Sequence, residues 1–141
     1  MTHGSQIPSS AAQYRTEGHL APDTTEAQMT AKPYVLEFGM GVDVHGQDGT
    51  TAAIRAVSDA IRHSSLPFFR DVRERGGTMY VDVTVGVPDP ATVDVERVKK
   101  ELPHGEVTVR AVPGGLRVPQ SDALIACVGI VVSIDDPRQP K

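Results

Sequence analysis

From Tyr34 the chain alternates strictly, with Tyr34, Leu36, Phe38, Met40, Val42 and Val44 on one face of an extended segment and Val35, Glu37, Gly39, Gly41, Asp43 and His45 on the other. This predicts a first strand with one greasy face. Turn residues follow at 46–49, and residues 51–64 then read as a helix: Ile54, Val57 and Ile61 recur at spacings of three and four, backed by Ala53 and Ala60, with Asp48 or Thr50 suited to the N-cap. Residues 66–77, holding Pro67 and the pair Gly76-Gly77, read as a linker that extends the helix by at most a turn. In the second strand Met79, Val81, Val83, Val85 and Val87 alternate with Tyr80, Asp82, Thr84 and Gly86, until Pro88-Asp89-Pro90 stops it. Residues 92–102 place Val95, Val98 and Leu102 on one helical face, ended by Pro103-His104-Gly105. A third strand sets Val107, Val109 and Ala111 against Glu106, Thr108 and Arg110, and residues 123–134 form a last strand that is apolar at nearly every position.

The order β-α-β-α-β-β predicts an α/β sandwich: a four-stranded mixed sheet with two helices on one face. The βα connections are long enough to join parallel strands, and the last connection suits a hairpin. Two helices cover one face only. The opposite face is expected to carry Glu37, Asp43 and His45, then Tyr80, Asp82 and Thr84, then Glu106, Thr108 and Arg110, yet the last strand is apolar on both sides and calls for cover on both. A homo-oligomer that buries this mixed face, with a polar pocket where subunits meet, satisfies both requirements. Residues 1–32, rich in Ser, Thr, Ala, Gln, Gly and Pro, read as a flexible arm, residues 33–135 as a single domain, and residues 136–141 as a tail.

A chain of 141 residues suffices for one unstapled core. The net charge of −4 and isoelectric point near 5.7 leave no basic stripe for nucleic acid, since the arginines at 70–75 alternate with Asp71 and Glu74. The sequence shows no apolar run of membrane-spanning length and no signal peptide, so the expected location is cytoplasmic, with no membrane and no nucleic-acid partner. The single cysteine, Cys127, lies in an apolar run and reads as core filler.

The candidate chemistry sits where the first strand empties into its turn. Gly39-Met40-Gly41 lacks the third glycine of a dinucleotide fingerprint, Val44 standing there instead. The pair Gly41 and Gly46 has P-loop spacing but is followed by Gln47-Asp48, whose carboxylate repels phosphate. Asp43 and His45 share a strand face, so the carboxylate can orient the imidazole for general acid/base work. Two such ligands do not make a metal site, and no metal or cofactor is expected. Gly39, Gly41 and Gln47 are the candidates to shape a substrate pocket, with Arg62 or Arg110 as anion contacts. The opposing reading makes the turn purely structural: Asp48 caps the helix, His63 answers its dipole, and the glycines allow a bulge or tight packing against a helix.

Gly39-Met40-Gly41, Asp43, His45-Gly46-Gln47-Asp48, Thr51-Ala52-Ala53, Arg55-Ala56-Val57, Asp59-Ala60-Ile61 and Ser65-Leu66-Pro67 together resemble the signature of a family of small conserved hypothetical proteins of bacteria. The stretch from Leu102-Pro103-His104-Gly105 through Val109, then Gly114-Gly115, is similar to its second block. The family brings no assigned activity. Its α/β pattern is similar to chorismate mutase-like and deaminase-like units and to single domains of ring-opening cyclic amide hydrolases, although no Ser-Lys pair of that kind is present. The resemblance implies a ligand site between subunits or domains, and with the mixed sheet face the expected assembly is a homotrimer or larger holding a small-molecule ligand. The function expected is a hydrolase, or a lyase or isomerase, acting on a small polar or cyclic metabolite through His45 and Asp43. The alternative is a non-catalytic ligand-binding or assembly module in which the loop is structural.

Overall fold

The structure, a computed structural model, describes residues 25–62 and 67–138; residues 1–24 of the expected arm and His63 lie outside the described residues. Helix α1 (Glu26–Thr30) starts at Thr25, whose hydroxyl accepts from the Gln28 amide at 3.2 Å. Strand β1 (Lys32–Asp43) leads into α2 (Gly49–Arg62). The expected linker holds a separate helix, α3 (Phe68–Glu74), and the chain then enters β2 (Thr78–Val87). A 3-10 turn at Pro90–Thr92 precedes the short α4 (Val95–Lys99), capped by Asp94, and strands β3 (Glu106–Pro113), β4 (Leu116–Arg117) and β5 (Leu124–Asp135) complete the chain.

The sheet order is β1-β5-β2-β3, with the two-residue β4 paired to β5. Strands β2 and β3 run parallel, while β5 is antiparallel to both of its long neighbours, β1 and β2. The expected hairpin between the third and last strands does not form: β3 pairs with β2, the unforeseen β4 pairs with β5, and β5 itself inserts between β1 and β2 instead of lying at an edge. A central position suits a strand apolar on both faces, because neighbouring strands and their side chains flank it on both sides, while the choice of β1 and β2 as neighbours is set by long-range pairing.

On β2 and β3 the faces fall as their alternation predicts. Val83, Val85 and Val87 are buried under the helices, with Val107 and Val109 packed against that core, and Asp82, Thr84, Thr108 and Arg110 occupy the open side. Strand β1 is inverted relative to expectation. Its glycine side faces the helix: a Cβ built on Gly39 lies 2.6 Å from the Ala60 amide nitrogen, and one on Gly41 lies 2.8 Å from the carbonyl carbon of Arg55. Helix α2 answers with Ala52, Ala53, Ala56 and Ala60, all buried, so helix and strand approach too closely for any side chain on those two β1 positions. The greasy row consequently points away from the helices, leaving Leu36 58%, Phe38 69% and Met40 59% exposed. Cys127 pairs in register with Met40 and is likewise exposed, so it lies on the open face and is not core filler.

This arrangement predicts that Gly41→Ala destabilises the fold by at least about 2 kcal/mol in urea denaturation, as overpacking does. Leu36→Ala in dilute solution changes stability by no more than about 0.5 kcal/mol, as an exposed position should. A core-sized loss at Leu36 would contradict the inversion.

Candidate functional site

The turn after β1 is held by its own side chains. Gly46 (φ 96°) and Gln47 (φ 53°) carry the backbone through the left-handed region, a conformation that glycine adopts freely and other residues rarely. Asp43, only 7% exposed, turns its carboxylate inward. Its Oδ2 accepts from the Asp48 amide at 2.9 Å, and its Oδ1 lies 3.4 Å from Nη1 of Arg55. The same guanidinium donates to the Val42 carbonyl at 2.5 Å. Asp48 caps α2, accepting from the Thr50 amide at 2.9 Å and from the Thr51 hydroxyl at 2.7 Å. The Thr51 hydrogen bond, above all, lowers the Asp48 pKa below its ordinary value. The Thr50 hydroxyl accepts from the Asp94 amide at 2.9 Å, joining the start of α2 to the cap of α4, and Arg117 of β4 donates to Oε1 of Gln47.

The expected catalytic pair is therefore not assembled. His45 is exposed and has no hydrogen-bond partner among the described residues, while the carboxylate expected to orient it is committed to Asp48 and Arg55. Gly39 and Gly41 serve the helix–strand contact, and Gln47 binds Arg117. Arg62 ends α2, exposed and at the opposite end of that helix from the turn. Among the described residues no group of three His, Cys, Asp or Glu side chains is placed to hold a metal.

Arg110 lies elsewhere, on the open face of the sheet. There Gln28, Asp82, Thr84, Thr108, Arg110 and Ser133 line a cavity of about 230 Å³, walled in part by Ala31, Pro33 and Val131. Arg110 Nε donates to the Thr84 hydroxyl at 2.9 Å, and Gln28 Nε2 donates to Asp82 Oδ1 at 2.5 Å. The neighbouring Tyr80 phenol, which shares this face of β2, has its pKa raised first by burial and then by the charges of Glu106 and Asp135. The polar alternation of β2 and β3 was visible in sequence, whereas the parts of Gln28 and Ser133 were not: the first belongs to the expected arm, the second to an apolar run. A larger cavity, about 840 Å³, lies on the helix side against α3, but its floor of Met79, Val81, Ile130 and Val132 is buried core and its Arg70, Arg73 and His104 are exposed.

Residues 33–132 match the family described as conserved hypothetical protein, Lin0512_fam. Among solved structures, a crystal structure of an FtsZ-like protein of unknown function from Nostoc punctiforme PCC 73102 is similar: 33% identity and a TM-score of 0.63, over 75% of this chain and 97% of that one. No curated protein matches the chain. Among the described residues no helix is long and apolar enough to cross a membrane.

Two outcomes follow from the turn's bonding. Asp43→Ala should cost about 2 kcal/mol of stability by leaving the Asp48 amide without its acceptor and Arg55 without its counter-charge, whereas His45→Ala should stay within about 0.5 kcal/mol. For Asp48 the sign is fixed by its lowered pKa: its contribution is complete above the ordinary value of 3.8 and is lost as pH falls through the lower folded-state value. Asp48→Asn should therefore be destabilising at pH 6 and approach neutrality in strong acid, as measured by denaturation midpoints across pH.

Proposed function

The chain belongs to the Lin0512_fam family of conserved hypothetical proteins, and from that premise we propose that it is a self-associating binding module: the apolar half of its open sheet face docks on a second copy, and the polar half receives a small polar ligand at the margin of that contact. The observation that carries this reading is the row Leu36, Phe38 and Met40 standing outward on β1, continued on β5 by Ile125, Cys127 and Val131. A contiguous apolar surface of this kind is uncommon on a monomer and marks an interaction site.

Its dimensions suit the role. The two 12-residue strands of the apolar half extend about 40 Å at about 3.3 Å per residue and span about 10 Å, a footprint of about 400 Å². That area suits the apolar centre of an interface whose polar rim falls on the neighbouring strands. The mode of association is face to face, not edge to edge. Strand β1 is an edge strand, but α2 reaches over it: Asp59 Oδ2 accepts from the Met40 amide at 3.0 Å, and Arg55 takes the Val42 carbonyl. Strand addition along this stretch is blocked, which is a common protection of exposed edges. Use of the same face by both copies makes a dimer the minimal unit, where the sequence-based expectation is a trimer or more.

This reading takes the structural role of the turn over acid/base catalysis, because Asp43 is engaged away from His45. Sedimentation across a hundredfold range of protein concentration should reveal a dimer or higher species, and Phe38→Asp should shift it to monomer with the fold intact by circular dichroism. A wild-type chain that remains monomeric at the highest concentration would refute the proposal.

A further inference from the structure

We propose that the open-face cavity is a binding site for a small aliphatic α-amino acid, or a zwitterion of the same charge spacing, with Arg110 holding the carboxylate and Asp82 the ammonium. The inference rests on the reading of this face as a binding surface and names its ligand class.

Register places Asp82 beside Thr108 and Thr84 beside Arg110 on the parallel strands β2 and β3. Asp82 and Arg110 are therefore diagonal neighbours on one face, with a separation of roughly 7 Å expected between such positions. Despite opposite charges they form no ion pair among the described residues. Each is anchored on one side and open on the other. Arg110 spends Nε on Thr84, which leaves its two Nη groups without an acceptor among the described residues. Asp82 spends Oδ1 on Gln28, and its Oδ2 has no donor there. A guanidinium fixed through Nε offers the paired N–H groups that suit a carboxylate, and a half-engaged carboxylate is an acceptor for an ammonium.

Ser133 lines the same cavity and adds a hydroxyl that can donate to or accept from a polar group bound between the two charges.

The charge pattern selects among ligands. Asp82 repels phosphate and dicarboxylates, and Arg110 repels a simple amine; a molecule carrying both charges a bond or two apart satisfies both. The remaining walls, Ala31, Pro33 and Val131, suit a short aliphatic group, and about 230 Å³ limits its size.

Isothermal titration of the full-length protein with L-valine, L-alanine, isovalerate, isobutylamine and inorganic phosphate tests the assignment. L-Valine or L-alanine should bind with a Kd of about 1 mM or tighter. Isovalerate and isobutylamine, which lack the amine and the carboxyl of valine, should each bind at least about tenfold more weakly, as should valine to Arg110→Gln and Asp82→Asn. These half-ligand comparisons use the unaltered chain and so do not depend on a variant folding. Equal affinity for isovalerate or phosphate would overturn the zwitterion assignment while leaving a ligand-binding face intact. Absence of heat with every probe would overturn the assignment, and sedimentation of the same sample separately decides whether the self-association reading stands.

Discussion

The contact between α2 and the glycine side of β1 governs how the rest of the chain is arranged. Gly39 and Gly41 offer no side chain, Ala52, Ala56 and Ala60 offer one carbon each, and backbone therefore packs against backbone. At that distance dispersion contacts are dense, and the apolar surface excluded from water includes the main chain itself. A larger residue at either glycine would have to displace the helix. Once α2 is seated there, strand alternation leaves Leu36, Phe38 and Met40 no position except the far side of the sheet. The exposed apolar row is thus a geometric consequence of close helix packing, and the outward surface it creates is what the self-association proposal uses.

The same seating explains why the turn after β1 is so fully bonded. The helix must begin within a few residues of the strand and immediately beside it, so the chain reverses through Gly46 and Gln47 in the left-handed region. The half-buried polar groups that this reversal creates are matched internally: Asp43 with the Asp48 amide and Arg55, Asp48 with Thr50 and Thr51, Gln47 with Arg117. From the outer side of the helix, Asp59 and Arg55 reach the backbone of the edge strand. The residues with the strongest appearance of chemistry in the sequence are largely those needed to close this turn and guard this edge.

Much of the fold was legible in the sequence. Period-two alternation located β1, β2, β3 and β5, and spacings of three and four located α2. What hydropathy misjudged was the direction of β1, because the usual inference that greasy residues face the core fails when the core contact is made by glycine and alanine. The position of β5 was half legible: its doubly apolar sequence called for cover on both faces, but insertion between β1 and β2 depends on pairing that no local pattern encodes. Arg110 was found by its charge on a polar strand face. Its companions needed the fold, since Gln28 comes from a segment poor in large aliphatics and Ser133 from a strand read as wholly apolar. Residues i and i+2 share a face only while the strand continues; β1 ends at Asp43, His45 lies in the turn beyond it, and the backbone amide of Asp48 and the Arg55 guanidinium hold the carboxylate instead.

Cys127 offers a direct probe of the central claim, that the outward face of β1 and β5 is an interface between copies of this chain. It is the single cysteine in the sequence, exposed and in register with Met40 in the middle of the apolar half. The rate of its alkylation by iodoacetamide, measured on unaltered protein from dilute to concentrated solution, should fall as concentration rises and the face becomes covered. A rate constant unchanged across that range would contradict the account.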